Sequence, residues 1–294
     1  MADSGTDSII QVIKPEAKDL GEFVVRRTLP DKERQRVGPF IFFDHMGPAD
    51  FPPGSGVSVR PHPHIGIATI TYLFDGVIIH RDSLGYVQPI TGGAVNWMTA
   101  GRGIVHSERS PEDLVANGSH LHGIQAWVAL PTELEETEPR FEHYPREDIP
   151  SVSLPGIQLT IIAGEAYGGR SPVRTSSETI YLEADMATGA DFDSPDTFDE
   201  LAVYVVSGDV TVDGHELPAG QMAVLRPRSS ARIAARTPSK LMLLGGATLE
   251  GERILWWNFV SSSRDRLNKA KSDWRGKRFG NVPGETEFIP LPEK

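Results

Sequence analysis

This sequence has no cysteine, fewer basic than acidic residues, and no long apolar run. Without cysteine the chain has no disulfide bonds, thiolate metal sites or cysteine nucleophiles. The formal net charge of −11 argues against direct DNA or RNA binding, because phosphate contacts dominate that affinity. No stretch approaches the roughly 20 apolar residues of a membrane helix, and Met1 to Asp7 lack the features of a secretory signal. We therefore expect a cytoplasmic protein that binds neither nucleic acid nor a membrane.

Glycine and proline are plentiful, with 29 and 23 residues among 294, as in folds built from many short strands and tight turns. Two strand-rich segments flank a Pro- and Glu-rich connection at 131–155, and they share the order of their glycine turns. This pattern predicts a mainly all-β protein of two barrels or sandwiches. We expect domains at 1–138 and 139–260, followed by a basic tail at 261–294 in which residues 263–278 form a helix.

Two pairs of potential metal ligands stand out: His62-x-His64 and, 42 residues after His64, His106-x-Glu108. On a β-strand a spacing of two puts both side chains on one face. Two such strands side by side would bring three imidazoles and one carboxylate to one point. This donor set suits Fe, Mn, Co, Ni, Cu or Zn, whereas a purely structural zinc site leans on cysteine. An octahedral metal with these four ligands keeps two positions open, for a bidentate substrate or for a substrate and O₂.

Other histidines are weaker candidates for the site. His122 shares a predicted strand face with apolar residues, so it is a candidate pocket residue, a core histidine, or, with His120, a competing ligand. His45 and His80 are interpreted as turn and surface residues, with His45 as a candidate for the mouth of the site.

An uninterrupted alternation from His62 to Phe74 predicts which side chains accompany the ligands. It puts Ile70, Tyr72 and Phe74 on the ligand face, as an apolar wall for a substrate. Metal binding is expected to weaken below about pH 6, because imidazoles must be neutral to act as ligands.

Longer strings around these residues resemble the pirin family of the cupin superfamily. The strings are His62-Pro63-His64, Asn-Trp-Met-Thr-Ala-Gly-Arg-Gly-Ile-Val-His-Ser-Glu at 96–108, and His-Gly-Ile-Gln-Ala-Trp-Val at 122–128. The specific match covers about residues 40–130, and a weaker one extends to about residue 247. The resemblance implies a bicupin, in which two antiparallel β-barrels lie face to face and a short helix follows. It also implies that metal binds only in the first barrel.

The resemblance carries the ligand role onto His62, His64, His106 and Glu108. It implies one divalent transition metal per chain, most of all Fe(II), with Ni, Mn, Cu, Co or Zn as alternatives. Some pirins are associated with quercetin 2,3-dioxygenase activity, which predicts a flavonol-like substrate, O₂, and Glu108 as a catalytic base. Others act as transcription cofactors or enzyme partners, which predicts a metal-loaded protein that binds another protein. A vestigial or structural metal is the third reading.

The chain departs from the better-known pirins at two positions near the ligands. Those proteins have an arginine directly after the second histidine and a glutamate four residues after it, where this chain has Ile65 and Ala68. The substitutions predict a less polar pocket, so the ligand set is kept while the substrate class is open. The segment from Ile254 to Lys294 also differs from the short end expected of a pirin.

Overall fold

The computed structural model describes residues 8–21 and 23–293, and these residues are mainly β-structure, as predicted. The polar segment Met1 to Asp7 considered above lies outside the described residues. None of the described helices is both long enough and apolar enough to span a bilayer.

The strands, in chain order, are β1 Ile9–Ile13, β2 Glu16–Asp19, β3 Val24–Leu29, β4 Phe40–Phe51, β5 Ser58–His64, β6 Ile67–Asp75, β7 Val77–Asp82, β8 Val87–Thr91, β9 Val95–Thr99, β10 Ile104–Arg109, β11 Ser119–Ala129, β12 Arg140–Tyr144, β13 Ser151–Leu154, β14 Ile157–Ala163, β15 Glu165–Ala166, β16 Gly169–Arg170, β17 Thr179–Met186, β18 Asp191–Asp193, β19 Glu200–Ser207, β20 Val210–Val212, β21 His215–Leu217, β22 Met222–Leu225, β23 Arg232–Ala235, β24 Ser239–Gly246, β25 Ile254–Trp256 and β26 Phe259–Ser261. The α-helices are α1 Glu112–Asn117 and α2 Arg264–Arg275, and single 3₁₀ turns occur at Thr132–Leu134 and Arg146–Asp148.

The chain forms two compact units, and each is assembled from separated segments. The C-terminal barrel consists of the described parts of segments 1–16, 26–41 and 148–249. The N-terminal barrel consists of the described parts of segments 17–25, 42–147 and 250–294. The domains predicted from the sequence, 1–138 and 139–260, were each one continuous stretch of chain. They differ from the structure because β1 pairs with β22 of the C-terminal barrel, and because the tail packs on the N-terminal barrel.

The C-terminal barrel is built from antiparallel sheets. Its larger sheet has the order β1-β22-β19-β24-β17-β14-β13, and a four-stranded sheet has the order β18-β23-β20-β21. Alternate residues of these strands form its core, so that Leu182, Val203 and Leu243 on neighbouring strands are fully buried. The intervening residues of these strands, such as Tyr181, Ala202 and Leu244, are fully buried too, so both faces of the central strands are covered.

The N-terminal barrel has two sheets, with strand orders β5-β10-β7-β8 and β12-β9-β6-β11-β4-β3-β2. Leu73, Ile78 and Ile90 are among the apolar residues buried in its core. Strand β10 lies between β5 and β7, and His106 is directly opposite both His62 of β5 and Asp82 of β7. The two strands that carry the predicted ligand pairs are therefore neighbours, as the spacing required.

A sharp corner at Ile65 and Gly66 separates β5 from β6, so the two strands belong to different sheets. Gly66 has φ +69°, and a Cβ at this position would lie 2.1 Å from the carbonyl oxygen of Val260. Only glycine fits this close approach. The corner interrupts the alternation that was predicted to run unbroken from His62 to Phe74.

The basic tail contains the predicted helix as α2. Ser263 is its N-cap and accepts a hydrogen bond from the backbone N–H of Arg266 at 3.3 Å. Apolar residues of the tail pack against the outward-facing Ile65 and Val105, the neighbours of ligands in sequence; these tail residues are Phe259, Leu267, Ala270, Trp274 and Val282. Burial of each large side chain of this kind contributes about 1.5–3 kcal/mol.

Candidate metal centre

Three imidazole rings converge inside the N-terminal barrel. His62 and His64 come from β5 and His106 from β10, and one nitrogen of each lies within 4.8 Å of the others. The Nε2 atoms of His64 and His106 are 3.1 Å apart. All three side chains are buried, with relative exposures of 6%, 1% and 0%. The structure thus brings together the three histidines that the spacing predicted.

Backbone carbonyls fix the orientation of two of these rings. The Nδ1 of His62 lies 2.9 Å from the carbonyl oxygen of Arg60, and the Nδ1 of His64 lies 3.2 Å from that of Asn258. A carbonyl oxygen can only accept, so each Nδ1 carries the proton. The Nε2 lone pairs of both rings therefore face the centre of the cluster.

Burial keeps the cluster neutral. Desolvation lowers the pKa of His62 to about 4, although the hydrogen bond to the Arg60 carbonyl opposes this shift. Desolvation and the neighbouring imidazoles hold the pKa of His64 and of His106 well below the usual value. At neutral pH the cluster is a set of uncharged donors, which is the form that binds a metal.

Glu108 follows His106 by two residues on β10, and it is not in the group of three residues whose ligand atoms lie within 4.8 Å of one another. A register shift between His106 and Glu108 interrupts the pairing of β10 with β5. The Glu108 Oε1 accepts a hydrogen bond from Thr71 Oγ1 at 3.3 Å, and Gln125 also hydrogen-bonds to the carboxylate. Burial raises the pKa of Glu108, against the opposing effects of His80, Thr71 and Gln125. A buried carboxylate of this kind is stabilised by a nearby cation.

The predicted apolar wall lies elsewhere. Thr71 points to Glu108, so its neighbours Ile70 and Tyr72 project from the opposite face of β6, and Phe74 lies on that face too. The residues of β6 that face the ligands differ from those predicted because the corner at Gly66 interrupts the alternation between β5 and β6. His122 accompanies this second group: its ring centroid is 4.8 Å from that of Phe74, and its Nε2 is 2.8 Å from the His45 Nε2.

His45 and His80 are not the turn and surface residues that the sequence suggested. His45 is fully buried in β4, and His80 is 4% exposed in β7. The His80 Nε2 is 2.9 Å from Asp82 Oδ2, and its ring stacks on Phe141 with centroids 4.2 Å apart. His45 lies within the twelve-residue strand β4, in a run of buried residues, and His80 lies on the buried face of β7.

The residues present fit a bound transition metal. Two imidazole lone pairs with fixed tautomers and a third imidazole in contact with them form a nitrogen donor set typical of such metals. Glu108, on the same strand as His106, is a buried carboxylate that could add an oxygen donor. Within residues 8–21 and 23–293 no second group of three or more His, Asp or Glu side chains is close enough to hold an ion.

Sequence reasoning missed several residues of this centre. Thr71 was missed because the corner at Gly66 reverses which residues of β6 face the ligands, and Gln125 of β11 lies directly opposite Thr71. Asn258 contributes only a backbone carbonyl, which leaves no trace in the side-chain pattern. His80-x-Asp82 did carry a signal, because it has the same spacing of two as the ligand pairs.

Comparison with known proteins agrees with this architecture. A family model described as Pirin matches residues 22–128, and another, described as Pirin C-terminal cupin domain, matches residues 181–280. The fold and the histidine cluster define a protein with two cupin domains, of which the first carries the candidate metal site.

Relatives along nearly the whole chain specify the family. A pirin-like protein of Caulobacter vibrioides is 49% identical over 282 residues, which cover 94% of this chain and 96% of the relative. Human pirin is 31% identical, with 87% and 88% of the two chains covered. The solved structure of a quercetin 2,3-dioxygenase from Acinetobacter baumannii superposes with a TM-score of 0.91 at 34% identity, covering 97% of this chain and 96% of that one. The chain belongs to the pirin family.

Proposed function

We propose that this pirin is a metal-dependent dioxygenase that acts on a flavonol-like aromatic substrate at the His62, His64 and His106 cluster. The observation that carries the proposal is the convergence of three neutral, buried imidazoles, with the buried Glu108 two residues after His106 on the same strand. The likeness to the quercetin 2,3-dioxygenase structure supports the choice of substrate class. Fe(II) is the proposed metal, because O₂ chemistry at a histidine and carboxylate site is typical of iron.

The three histidines and Glu108 would hold the metal. When bound, it would supply Lewis acidity towards a substrate oxygen and a route for the reaction with O₂. Glu108 would also receive the proton of the substrate hydroxyl on its carboxylate, which makes it the proposed general base. Thr71 and Gln125 hold that carboxylate in place through their hydrogen bonds.

Aromatic side chains next to the cluster support a flat substrate. The ring of Trp127 packs edge-on against His64 with centroids 4.9 Å apart, and Phe42 stacks on Trp127 at 4.0 Å and 11°. Trp127 and Phe42 expose 6% and 7% of their surface, so the pair forms a rigid aromatic side to the site. In this proposal it takes the place of the wall first assigned to Ile70, Tyr72 and Phe74.

The test is turnover of quercetin under O₂ by the iron-loaded protein, compared with free iron at the same concentration. We expect turnover that His62→Ala abolishes and that His120→Ala preserves, since His120 is a partly exposed histidine paired with Asp50. Turnover no faster than free iron, or unchanged in His62→Ala, would refute the proposal. A loaded protein without turnover would favour the alternative role, in which the metal-bound form acts on a protein partner.

A further inference from the structure

A buried carboxylate and imidazole pair lies directly behind His106. Asp82 is fully buried and His80 is 4% exposed, and both come from β7, the strand next to β10. Asp82 Oδ2 is 2.9 Å from the His80 Nε2. The other oxygen, Oδ1, accepts the backbone N–H groups of Leu84 at 2.9 Å and Tyr86 at 3.1 Å. Three donors therefore fix the Asp82 carboxylate as an acceptor.

This arrangement sets the tautomer of His80. Because the carboxylate accepts, the His80 Nε2 carries a proton, and in the neutral ring the Nδ1 is left as an acceptor. That Nδ1 lies 3.4 Å from the Nδ1 of His106, at the long end of hydrogen-bond distances. Stacking on Phe141 holds the His80 ring in this orientation.

We propose that Asp82 and His80 are positioning residues for the metal centre, which place the proton of His106 on Nδ1 and keep its Nε2 free to bind the metal. The inference rests on the metal site of the proposed function but not on any oxygenase activity. His106 differs here from His62 and His64, whose Nδ1 protons go to uncharged backbone carbonyls. The negative charge of Asp82, transmitted through His80, makes His106 the strongest donor of the three.

Asp82→Asn is the sharpest test, because the surrounding backbone dictates how the amide must lie. The N–H groups of Leu84 and Tyr86 require the amide oxygen at the Oδ1 position, so the amide NH₂ faces the His80 Nε2. His80 then carries its proton on Nδ1, opposite His106. His106 must accept there, and its own proton moves to Nε2, where it blocks metal binding.

The measurement is zinc affinity by chelator competition, with zinc used as a diamagnetic probe. We expect Asp82→Asn to bind zinc about 10- to 100-fold more weakly than the native chain. His80→Phe should also weaken zinc binding, because phenylalanine offers no acceptor to His106. His80→Asn should bind zinc with nearly the native affinity, because its amide oxygen can replace the Nδ1 acceptor. Asp193→Asn, an exposed aspartate paired with Arg232, is the matched control and should change nothing.

A second readout decides the matter even where a variant fails to fold. In ¹⁵N-histidine NMR of the zinc-loaded native protein, His80 should carry its proton on Nε2 and His106 on Nδ1. A His80 protonated on Nδ1, or a folded Asp82→Asn that binds zinc as tightly as the native chain, would overturn the inference about His80 and Asp82 alone. Absence of zinc binding by the native chain would overturn the metal centre as well. The two failures are therefore distinguishable.

Discussion

The Nδ1 of His64 lies 3.2 Å from the carbonyl oxygen of Asn258, a residue 194 positions later in the chain. Asn258 sits between β25 and β26, and the next residue, Phe259, is fully buried and bridges to Ile65. The tail after the C-terminal barrel therefore completes the histidine cluster of the N-terminal barrel.

Phe259→Ala should weaken both folding and metal binding. Loss of this buried ring costs about 3–5 kcal/mol, and the loosened turn no longer holds the Asn258 carbonyl against His64. Denaturant unfolding and zinc titration of the still-folded variant measure the two effects. Asn258→Ala is the control and should leave both unchanged, because the interaction uses the main chain; a strong effect of Asn258→Ala would contradict this account.

Two glutamates of the tail should differ in importance although they bind the same arginine. Arg109 of β10 donates to Glu285 at 2.7 and 2.8 Å and to Glu287 at 2.9 Å. Glu285 is nearly buried and also accepts from Ser107, whereas Glu287 is 56% exposed. We expect Glu285→Gln to lower the free energy of unfolding by about 1–2 kcal/mol, and Glu287→Gln by less than about 0.5 kcal/mol. If urea unfolding shows that both variants lower the free energy of unfolding equally, the tail is not held on the barrel mainly through Glu285.

The stability of the metal-free protein should depend on pH through the histidine cluster. His62 takes up a proton near pH 6.5 in the unfolded chain but only near pH 4 in the folded protein. Between these values the unfolded state binds more protons, so stability falls as the pH drops from about 6.5 to about 4. Each such histidine contributes a slope of about 1.4 kcal/mol per pH unit.

Urea unfolding of the apo protein between pH 4 and 7 measures this slope. A flat profile across that window would show that the imidazoles are not held neutral. From the sequence, metal binding was expected to weaken below about pH 6. The lowered pKa of His62 predicts that proton competition in the folded protein sets in nearer pH 4.

Glu108→Gln should separate metal binding from chemistry. The amide keeps the size of the side chain and can still meet Thr71 and Gln125, while three imidazoles remain as ligands. We expect iron to bind more weakly but measurably, and turnover of quercetin to be lost, because the variant lacks the proton acceptor. Turnover per bound iron equal to that of the native chain would show that Glu108 is not the base.

Local spacing was enough to predict the histidine cluster, because the side-chain period of two is fixed by strand geometry and β5 and β10 are neighbours. It was not enough for the surroundings of the cluster. Which residues of β6 face the ligands depends on the corner at Gly66, where only glycine fits against the carbonyl of Val260, almost two hundred residues later. Asn258 acts through its main chain, so no side-chain pattern could reveal it.

The domain arrangement shows the same limit. The repeated glycine turns predicted two barrels, and the tail helix began at its Ser263 cap. Each unit is nevertheless assembled from separated segments of the chain. This assembly depends on long-range pairings such as β1 with β22, which no local periodicity encodes.

Metal stoichiometry tests the central claim most directly. The native chain, stripped with a chelator and titrated with Fe(II) under anaerobic conditions, should bind one equivalent, and His106→Ala should lose that binding while remaining folded by circular dichroism. Absence of a stoichiometric site in the native chain, or an undiminished site in His106→Ala, would contradict the assignment of the metal centre to His62, His64, His106 and Glu108.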